Sequence, residues 1–493
     1  MKIRIGARRS DLARVQAMHV RDCLLTAHPH LGVEFLFKKS LGDINLHDPL
    51  WKMPEKGVFT QDLTKDLVNG ECDLVVHSWK DLPTELAEQT EVVATTQRAD
   101  PRDLILIKKE WLDQPSAELK VFSSSPRRAF NLDPFLKEFL PSKPKHVEFL
   151  DIRGNVPTRV QKLIESKDAS ALVVAKAALD RLVTRSEIEF EKTKKQLLES
   201  FKSLNFIVVP LRENPNAAAQ GALAIEIRKN DQRMRDLLME IHCEKTFSDV
   251  QEERKILKYH GGGCHQKIGV SVRSTPSGVW IRCCGKTEAG VLLNDEFFES
   301  FRPLPKVSVD KVWSAEGISF FKREEISVQW PKQLDALWVA KADALPVTYT
   351  EPRHRLLWTA GLDSWKKLVD RGFFVNGCSE SFGEDQDDPL SFIGRPIVWT
   401  KLSHVDGAIS KDKEFLATYK LENLTLRYED FQGFELFYWK SFSQFKRSLE
   451  CFPELKTKLH ACGLGHTARL IEEETEVAPL AFPTKELFLK ALV

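Results

Sequence analysis

The feature that most narrows the fold of this chain is a strand–helix alternation that starts at its first residues. "KIRIGA" reads as a strand, and Ser10 is placed to cap the helix "DLARVQAMHVRDCLLTAH", whose Leu12, Val15 and Met18 fall on one face. "VEFLFKK" is strand-like again, and "VFTQDLTKDLVNG" is a helix that stops at Gly70. "CDLVVHSW" is a buried strand running straight into "KDLP". Such alternation argues for an α/β architecture with a largely parallel sheet.

A second α/β block follows in "ELKVFSSSPRRAF", "HVEFLDIRGNVPTRVQKLIES" and "ASALVVAKAALDRL". "EIEFEKTKKQLLESFK" is a charged surface helix, and "FIVVPLRENPNAAAQGALAIEIR" returns to strand and loop. Next, the helix "DVQEERKILKYH" gives way to "KIGVSVRS", a turn at "TPSG", "VWIRCCGK" and "FFESFRP". That order predicts a small α+β domain built on a hairpin meander. Beyond about residue 330 a β/α rhythm restarts in "LDALWVAKADALP" and "HRLLWTAGLDSWKKLVDRGFFVNG" and runs to the C-terminus, past the acidic loop "SFGEDQDDPLS".

Composition excludes several classes. The chain has 493 residues, 42% hydrophobic and 29% charged, which is ordinary for globular domains. A net charge of +1 gives no general electrostatic case for nucleic acid or an anionic membrane. No apolar run is long enough to span a bilayer, and "MKIRIGARRS" lacks the apolar core of a secretion signal. The 9 cysteines are scattered without metal-ligand spacing, so no metal is expected, and their pattern fits a reducing cytoplasm.

Arginines recur at one kind of place. Arg8 follows the first strand, Arg127 and Arg128 open a helix behind three serines and Pro126, and Arg153 and Arg159 flank another strand-to-helix junction. Arg181 follows "VVAKAALD". In a parallel α/β sheet these junctions gather outside the carboxyl ends of the strands, where helix N-termini add positive potential. Arginine forks bind carboxylates bidentately, so the set predicts a polyanion site, polycarboxylate rather than phosphate because no P-loop is present. Any one of these arginines alone would read as a solvated surface residue. "HSWKDLP" puts Lys80 and Asp81 at the end of a buried strand, where a carboxylate can steer a proton or stabilise a cation, or simply cap a turn. In "KYHGGGCHQKIG" three glycines precede Cys264, which argues for an accessible thiol next to open space rather than a core cysteine.

The motifs "GARRS", "KGVFT", "VVHSWKDLP", "ADPRD", "SSSPRR", "IRGNVPTRV", "NAAAQGALAIE" and "GGGC" stand in the order seen in hydroxymethylbilane synthases, also called porphobilinogen deaminases. The first 325 residues resemble that family. The resemblance implies an enzyme that joins porphobilinogen units head to tail, with loss of ammonia, on a dipyrromethane primer bound through Cys264. Asp81 matches the catalytic aspartate, with Lys80 beside it. Ser78, Lys56, Ser125, Arg127 and Arg128 match positions around the cofactor. Arg8, Ser10, Lys52, Phe59, Arg153, Arg159 and Arg181 match substrate-binding positions. The sequence departs from the family pattern at Pro54 and Glu55, where a glycine-rich turn is common, and at Pro126, where leucine is frequent. The implied fold is two periplasmic-binding-protein-like domains (1–98 with 205–226, and 99–204) and a small α+β domain (227–330) bearing the cysteine.

The remaining segment, 331–493, resembles a short uroporphyrinogen-III synthase, an α/β domain, in "FELFYWKSFSQFKRSL", "ACGLGHTARLIEE" and "TKELFLKAL". That family inverts the last ring of the linear tetrapyrrole and closes the macrocycle. Tyr438 as an acid, with Ser441, Ser443 and Thr467, are the residues this likeness singles out. The expectation is therefore a bifunctional, cytoplasmic tetrapyrrole enzyme. Its partners would be porphobilinogen and oligopyrroles, without nucleic acid or membrane, and a monomer is the simplest arrangement. Two alternatives stand beside it: a deaminase with a structural or regulatory C-terminal domain, and a non-catalytic carboxylate-binding protein.

Overall fold

A computed structural model describes residues 1–38, 61–83, 85–262, 266–331, 333–350, 355–383, 389–407 and 412–492. Strand β1 (Lys2–Arg8) buries Ile3, Ile5 and Ala7 on one face, the alternation expected of a half-covered strand. The helix Asp11–Ala27 begins at Ser10, whose hydroxyl accepts from the Ala13 N–H at 3.4 Å. With β2 (Gly32–Lys38), β3 (Leu74–Ser78), β4 (Thr90–Ala94) and β10 (Leu223–Arg228), β1 forms a five-stranded sheet in the order β2-β1-β3-β10-β4. A second sheet repeats the plan in the order β7-β6-β8-β5-β9, from β5 (Asp103–Lys108), β6 (Glu118–Phe122), β7 (His146–Leu150), β8 (Ala171–Ala175) and β9 (Leu204–Val208).

Both sheets are mixed rather than largely parallel. β10 runs antiparallel to β3 and β4, and β5 runs antiparallel to β8 and β9. The chain crosses between the sheets after β4 and again after β9. Segment 205–226, assigned from sequence to the first domain, is therefore split: β9 belongs to the second sheet and β10 to the first. The third unit matches the expected meander. Helix Glu244–Tyr259 precedes β11 (Gly269–Thr275), β12 (Gly278–Lys286) and β13 (Leu292–Ser300), and Ile256 and Leu257 pack against Ile268, Val270 and Cys283.

The C-terminal unit has two lobes. One is a six-stranded sheet, β15 (Phe321–Glu325), β20 (Lys413–Asn423), β19 (Trp399–His404), β16 (Ala336–Val339), β17 (Leu356–Thr359) and β18 (Gly377–Cys378), in that order. The other is a fully parallel sheet of β14 (Val312–Trp313), β21 (Leu436–Trp439), β22 (Leu459–Gly463) and β23 (Leu480–Phe482). β14 and β15 lie within 227–330, the range read from sequence as the third domain. Their hydrogen-bond partners are β21 and β20, so the C-terminal unit takes in residues from Val312 onward.

This unit shares cores with the rest of the chain. Trp365 meets Phe135 and Phe139 edge-on at 5.8 and 5.4 Å, and Phe392 meets Phe206 at 4.9 Å. Phe482 packs on Phe298 of β13 at 4.9 Å. Asn376 joins the two sheets at their edges: its carbonyl accepts from Val208 N–H at 2.8 Å, and its side-chain amide donates to the Phe206 carbonyl at 2.8 Å.

Candidate functional site

The expected gathering of cations at the carboxyl ends of the strands is present. β3 ends at Ser78, whose hydroxyl pairs with Gln16, and leads into a single 3-10 turn, Trp79–Asp81. Trp79 is anchored by its N–H to Ala222 O at 3.0 Å and packs in an apolar cluster with Leu82. That anchoring leaves Lys80 and Asp81 on the turn, with Asp81 exposed. Ser125 caps helix Pro126–Phe139 by accepting from Arg128 N–H, and Pro126 fills the first helical position, so Arg127 and Arg128 enter on the first turn. Arg159 rides on helix Val156–Glu165, capped by Asn155, and its Nε donates to Gly154 O at 2.8 Å. Arg181 lies on helix Lys176–Thr184 and donates to Gly221 O at 2.7 Å. Arg8 ends β1, and Ser10 is engaged as a helix cap.

One residue that the sequence reading did not single out organises this region. Asp103, fully buried at the start of β5, accepts from Arg127 at 2.7 Å, Arg128 at 2.6 Å, Asn214 at 2.9 Å and Gln220 at 2.9 Å. Gln220 in turn accepts from Lys80 at 3.2 Å. Burial alone would push the Asp103 carboxyl up, but Arg128 and Arg127 outweigh it and hold it well below the usual range. The available signal was a charge placed directly before a buried run, "PRDLILIK". Glu253 is a second such anchor: fully buried, it takes both ends of the Arg98 fork at 2.9 and 2.8 Å.

Arg127 differs from the expectation for a cofactor contact. Its Nη1 donates to Asn214 and to Pro215 O, its Nη2 to Asp103, and it is 4% exposed, so its hydrogen-bonding is spent on the scaffold. Other cations retain unused capacity. Arg128 Nε and Arg153 Nη2 are buried without a hydrogen-bond partner among the described residues. Burial, with repulsion from Arg128 and Arg153, lowers Arg159 to about 10. Lys80 is lowered to about 8, chiefly by burial, with Asp81 opposing and Arg128 adding to the shift. Arg181 is lowered to about 10, again chiefly by burial. Positive charge has been concentrated here at a cost, and an anion carrying several carboxylates would relieve it. Lys52, Lys56, Phe59 and Cys264 lie outside the described residues.

In the C-terminal unit, Ser441 caps helix Phe442–Cys451, Ser443 is half-buried on that helix, and Thr467 sits in the first turn of helix His466–Thr475. Tyr438, expected as an acid, is 5% exposed and stacks on Phe488 at 5.3 Å. Burial pushes its phenol up, which suits a core residue rather than a proton donor open to substrate. Lys341, beyond the end of β16, is lowered chiefly by desolvation, with Asp343 opposing and Arg323 and, from the opposite lobe, Lys440 adding smaller repulsions. The lobes touch closely at glycines: a Cβ on Gly465, where φ is +85°, would lie 2.9 Å from Gly383 Cα.

A family model described as "Porphobilinogen deaminase, dipyromethane cofactor binding domain" matches residues 3–236. A porphobilinogen deaminase from Syntrophomonas wolfei is 35% identical over 268 residues, covering 54% of this chain and 79% of that protein. One from Natranaerobius thermophilus is 33% identical over 270 residues, covering 55% and 79%. A probable porphobilinogen deaminase from Picrophilus torridus is 34% identical over 272 residues, covering 55% and 85%. Among solved structures, the BenM effector binding domain with benzoate aligns at 14% identity over 53% of this chain and 94% of that one. Its TM-score of 0.26 is too low to carry an argument.

Proposed function

The chain belongs to the porphobilinogen deaminase family, and from that premise we propose how its own residues divide the work and what its C-terminal unit adds. The cationic strand-end cleft fits the family's dipyrromethane cofactor: guanidinium N–H groups without a partner among the described residues, and crowded, depressed cations, suit a ligand whose rings each carry carboxylates. Cys264, which follows three glycines in the sequence, is the proposed point of thioether attachment. When bound, the cofactor supplies the pyrrole terminus to which porphobilinogen is added.

Lys80, Arg128, Arg153, Arg159 and Arg181 hold acetate and propionate groups and so fix the reacting rings. Their forks orient as well as attract, which turns an encounter in solution into a positioned one. Arg127 acts behind them, keeping Asp103 and the start of its helix in register. Asp81, exposed on its tight turn beside Lys80, offsets the positive charge that develops on the pyrrole nitrogen as ammonia leaves the aminomethyl carbon, and accepts the proton released once the new carbon–carbon bond has formed. A positioned carboxylate in that role contributes about 10²–10⁴ in rate. Ser78 and Ser125 act through placement, as a strand-end partner of Gln16 and as a helix cap. The observation that carries this reading is the juxtaposition, between the strand ends of the two sheets, of Lys80 and Asp81 from the first with Arg128, Arg153 and Arg159 from the second, cations that are buried or half-buried and incompletely hydrogen-bonded among the described residues.

The C-terminal unit is proposed to close the linear tetrapyrrole to the type III ring. The support is its two α/β lobes, one of them a fully parallel sheet, and their close approach at Gly383 and Gly465, beside the helix start that carries Thr467. Ser441, Ser443 and Thr467 stand at the helix starts where a bilane would be held, and Tyr438 shapes the core beneath. A second reading, a purely structural C-terminal unit, is favoured by the cores it shares with the deaminase half. Incubating the chain with porphobilinogen, oxidising the products and resolving the isomers separates the two. Type III product that reverts to type I in Thr467→Ala, with porphobilinogen consumption unchanged, supports cyclisation. Type I alone from the intact chain leaves the structural reading.

A further inference from the structure

Four charged side chains form a buried row between the deaminase half and the C-terminal unit. Arg102 pairs with Asp100 at 2.7 Å, Asp100 lies 3.4 Å from Lys176, and Lys176 pairs with Asp180 at 2.8 Å. Arg102 is 7% exposed and Lys176 is 1% exposed. The C-terminal unit closes both ends of the row. The Cys378 carbonyl accepts from Arg102 at 3.2 Å, and the Ser391 hydroxyl donates to Asp180 at 2.7 Å. It also covers both cations: Arg102 stands 5.5 Å from the Trp358 ring and Lys176 5.8 Å from the Phe392 ring.

Each end of the row abuts the site in sequence. Arg102 precedes Asp103, which holds Arg127 and Arg128, and Asp180 precedes Arg181 on the same helix. We propose that the C-terminal unit positions the deaminase's carboxylate-binding groups, with Ser391, Trp358 and Phe392 acting as positioning residues through this capped row. Replacing a buried, fully paired set of charges by apolar residues often costs little stability, so a positioning role for this row does not depend on a large stabilising one. The docking itself is over-determined. Glu380 and Ser381 adopt left-handed φ of +50° and +64°, and Glu380, 2% exposed, accepts from Arg212 N–H at 2.9 Å. Two successive non-glycine residues keep that conformation only where the surroundings enforce it.

The inference rests on the deaminase reading and is tested so that the two can fail separately. Porphobilinogen consumption is measured for the full chain, Ser391→Ala and Ser391→Thr, with thermal unfolding of each. Loss of the hydroxyl leaves Lys176 as the one side-chain hydrogen-bond partner of the Asp180 carboxylate among the described residues, so Arg181 is less well placed for a carboxylate. The expected result for Ser391→Ala is a KM for porphobilinogen raised about fivefold, the equivalent of one ordinary hydrogen bond. Its kcat should stay within about twofold, and Ser391→Thr should restore KM. An unchanged KM in Ser391→Ala overturns the inference, as does a threonine variant that recovers thermal stability without recovering KM. A wild-type chain that consumes no porphobilinogen overturns the reading beneath it.

Discussion

Two clefts at the carboxyl ends of strands can be compared within this molecule. In the deaminase half, charge is fixed: Asp103 takes four donors, Arg127 is spent on the scaffold, and Arg128, Arg153 and Arg159 crowd around Lys80 and Asp81. In the C-terminal unit, lysines stand at the ends of strands with hydroxyls and glycines at the helix starts, while the aromatic residues lie in the core. The first cleft must hold a polycarboxylate while protons move, so it maintains buried charge and the acids that keep it in place. In the second, the buried acid Glu380 accepts from the Arg212 N–H of the deaminase half rather than from a set of cations. A site built on fixed charge needs particular residues at particular places. A site built on shape tolerates many solutions.

The sharpest break of this contrast comes from Asp103. Asp103→Ala leaves two arginines buried without their carboxylate and is expected to cost about 3–5 kcal/mol, measured by urea unfolding. Lys341→Met, at an exposed position beyond β16 in the C-terminal unit, should shift stability by no more than about 0.5 kcal/mol. Equal losses would erase the distinction between the clefts.

Asp81→Asn comes next. It keeps the turn but removes the proton acceptor, and porphobilinogen consumption should fall by about 10²–10⁴ with unfolding unchanged. A loss of less than tenfold would remove Asp81 from the chemistry.

The smallest effect is a pH dependence at Lys80. Its pKa is lowered to about 8 in the folded chain, from 10.5, chiefly by burial. Above pH 8 the folded lysine sheds its proton while the unfolded chain keeps it, so its contribution to stability rises between the two values. Over the same window its pull on a carboxylate disappears. The KM for porphobilinogen should therefore climb above about pH 8, and Lys80→Arg should carry the low KM into more alkaline solution. Superimposable profiles for the two proteins would contradict this.

Much of the deaminase half was legible because its signals are local. Ser10, the helix start at Pro126 and the meander from Gly269 follow from capping, proline placement and period-two patterning within a few residues. The strand-end arginines were legible for the same reason. What the sequence hid depends on distant partners. Whether β9 joins the first or second sheet, and that the two-residue β14 pairs with β21, are set by contacts far along the chain. Tyr438 was misplaced because all of "LFYW" is buried, and a strand covered on both faces has no alternation to show which side chain meets solvent. Asp103 was visible only as a charge beside an apolar run. Its four donors come from segments far apart in sequence.

The central claim is that the fixed-charge cleft serves a polycarboxylate cofactor anchored on Cys264. The intact mass of the purified chain, beside that of Cys264→Ser, tests it most directly. A wild-type chain heavier than its polypeptide by two pyrrole units, with the variant at bare mass, is the predicted result. A wild-type chain at bare mass even after incubation with porphobilinogen would contradict it.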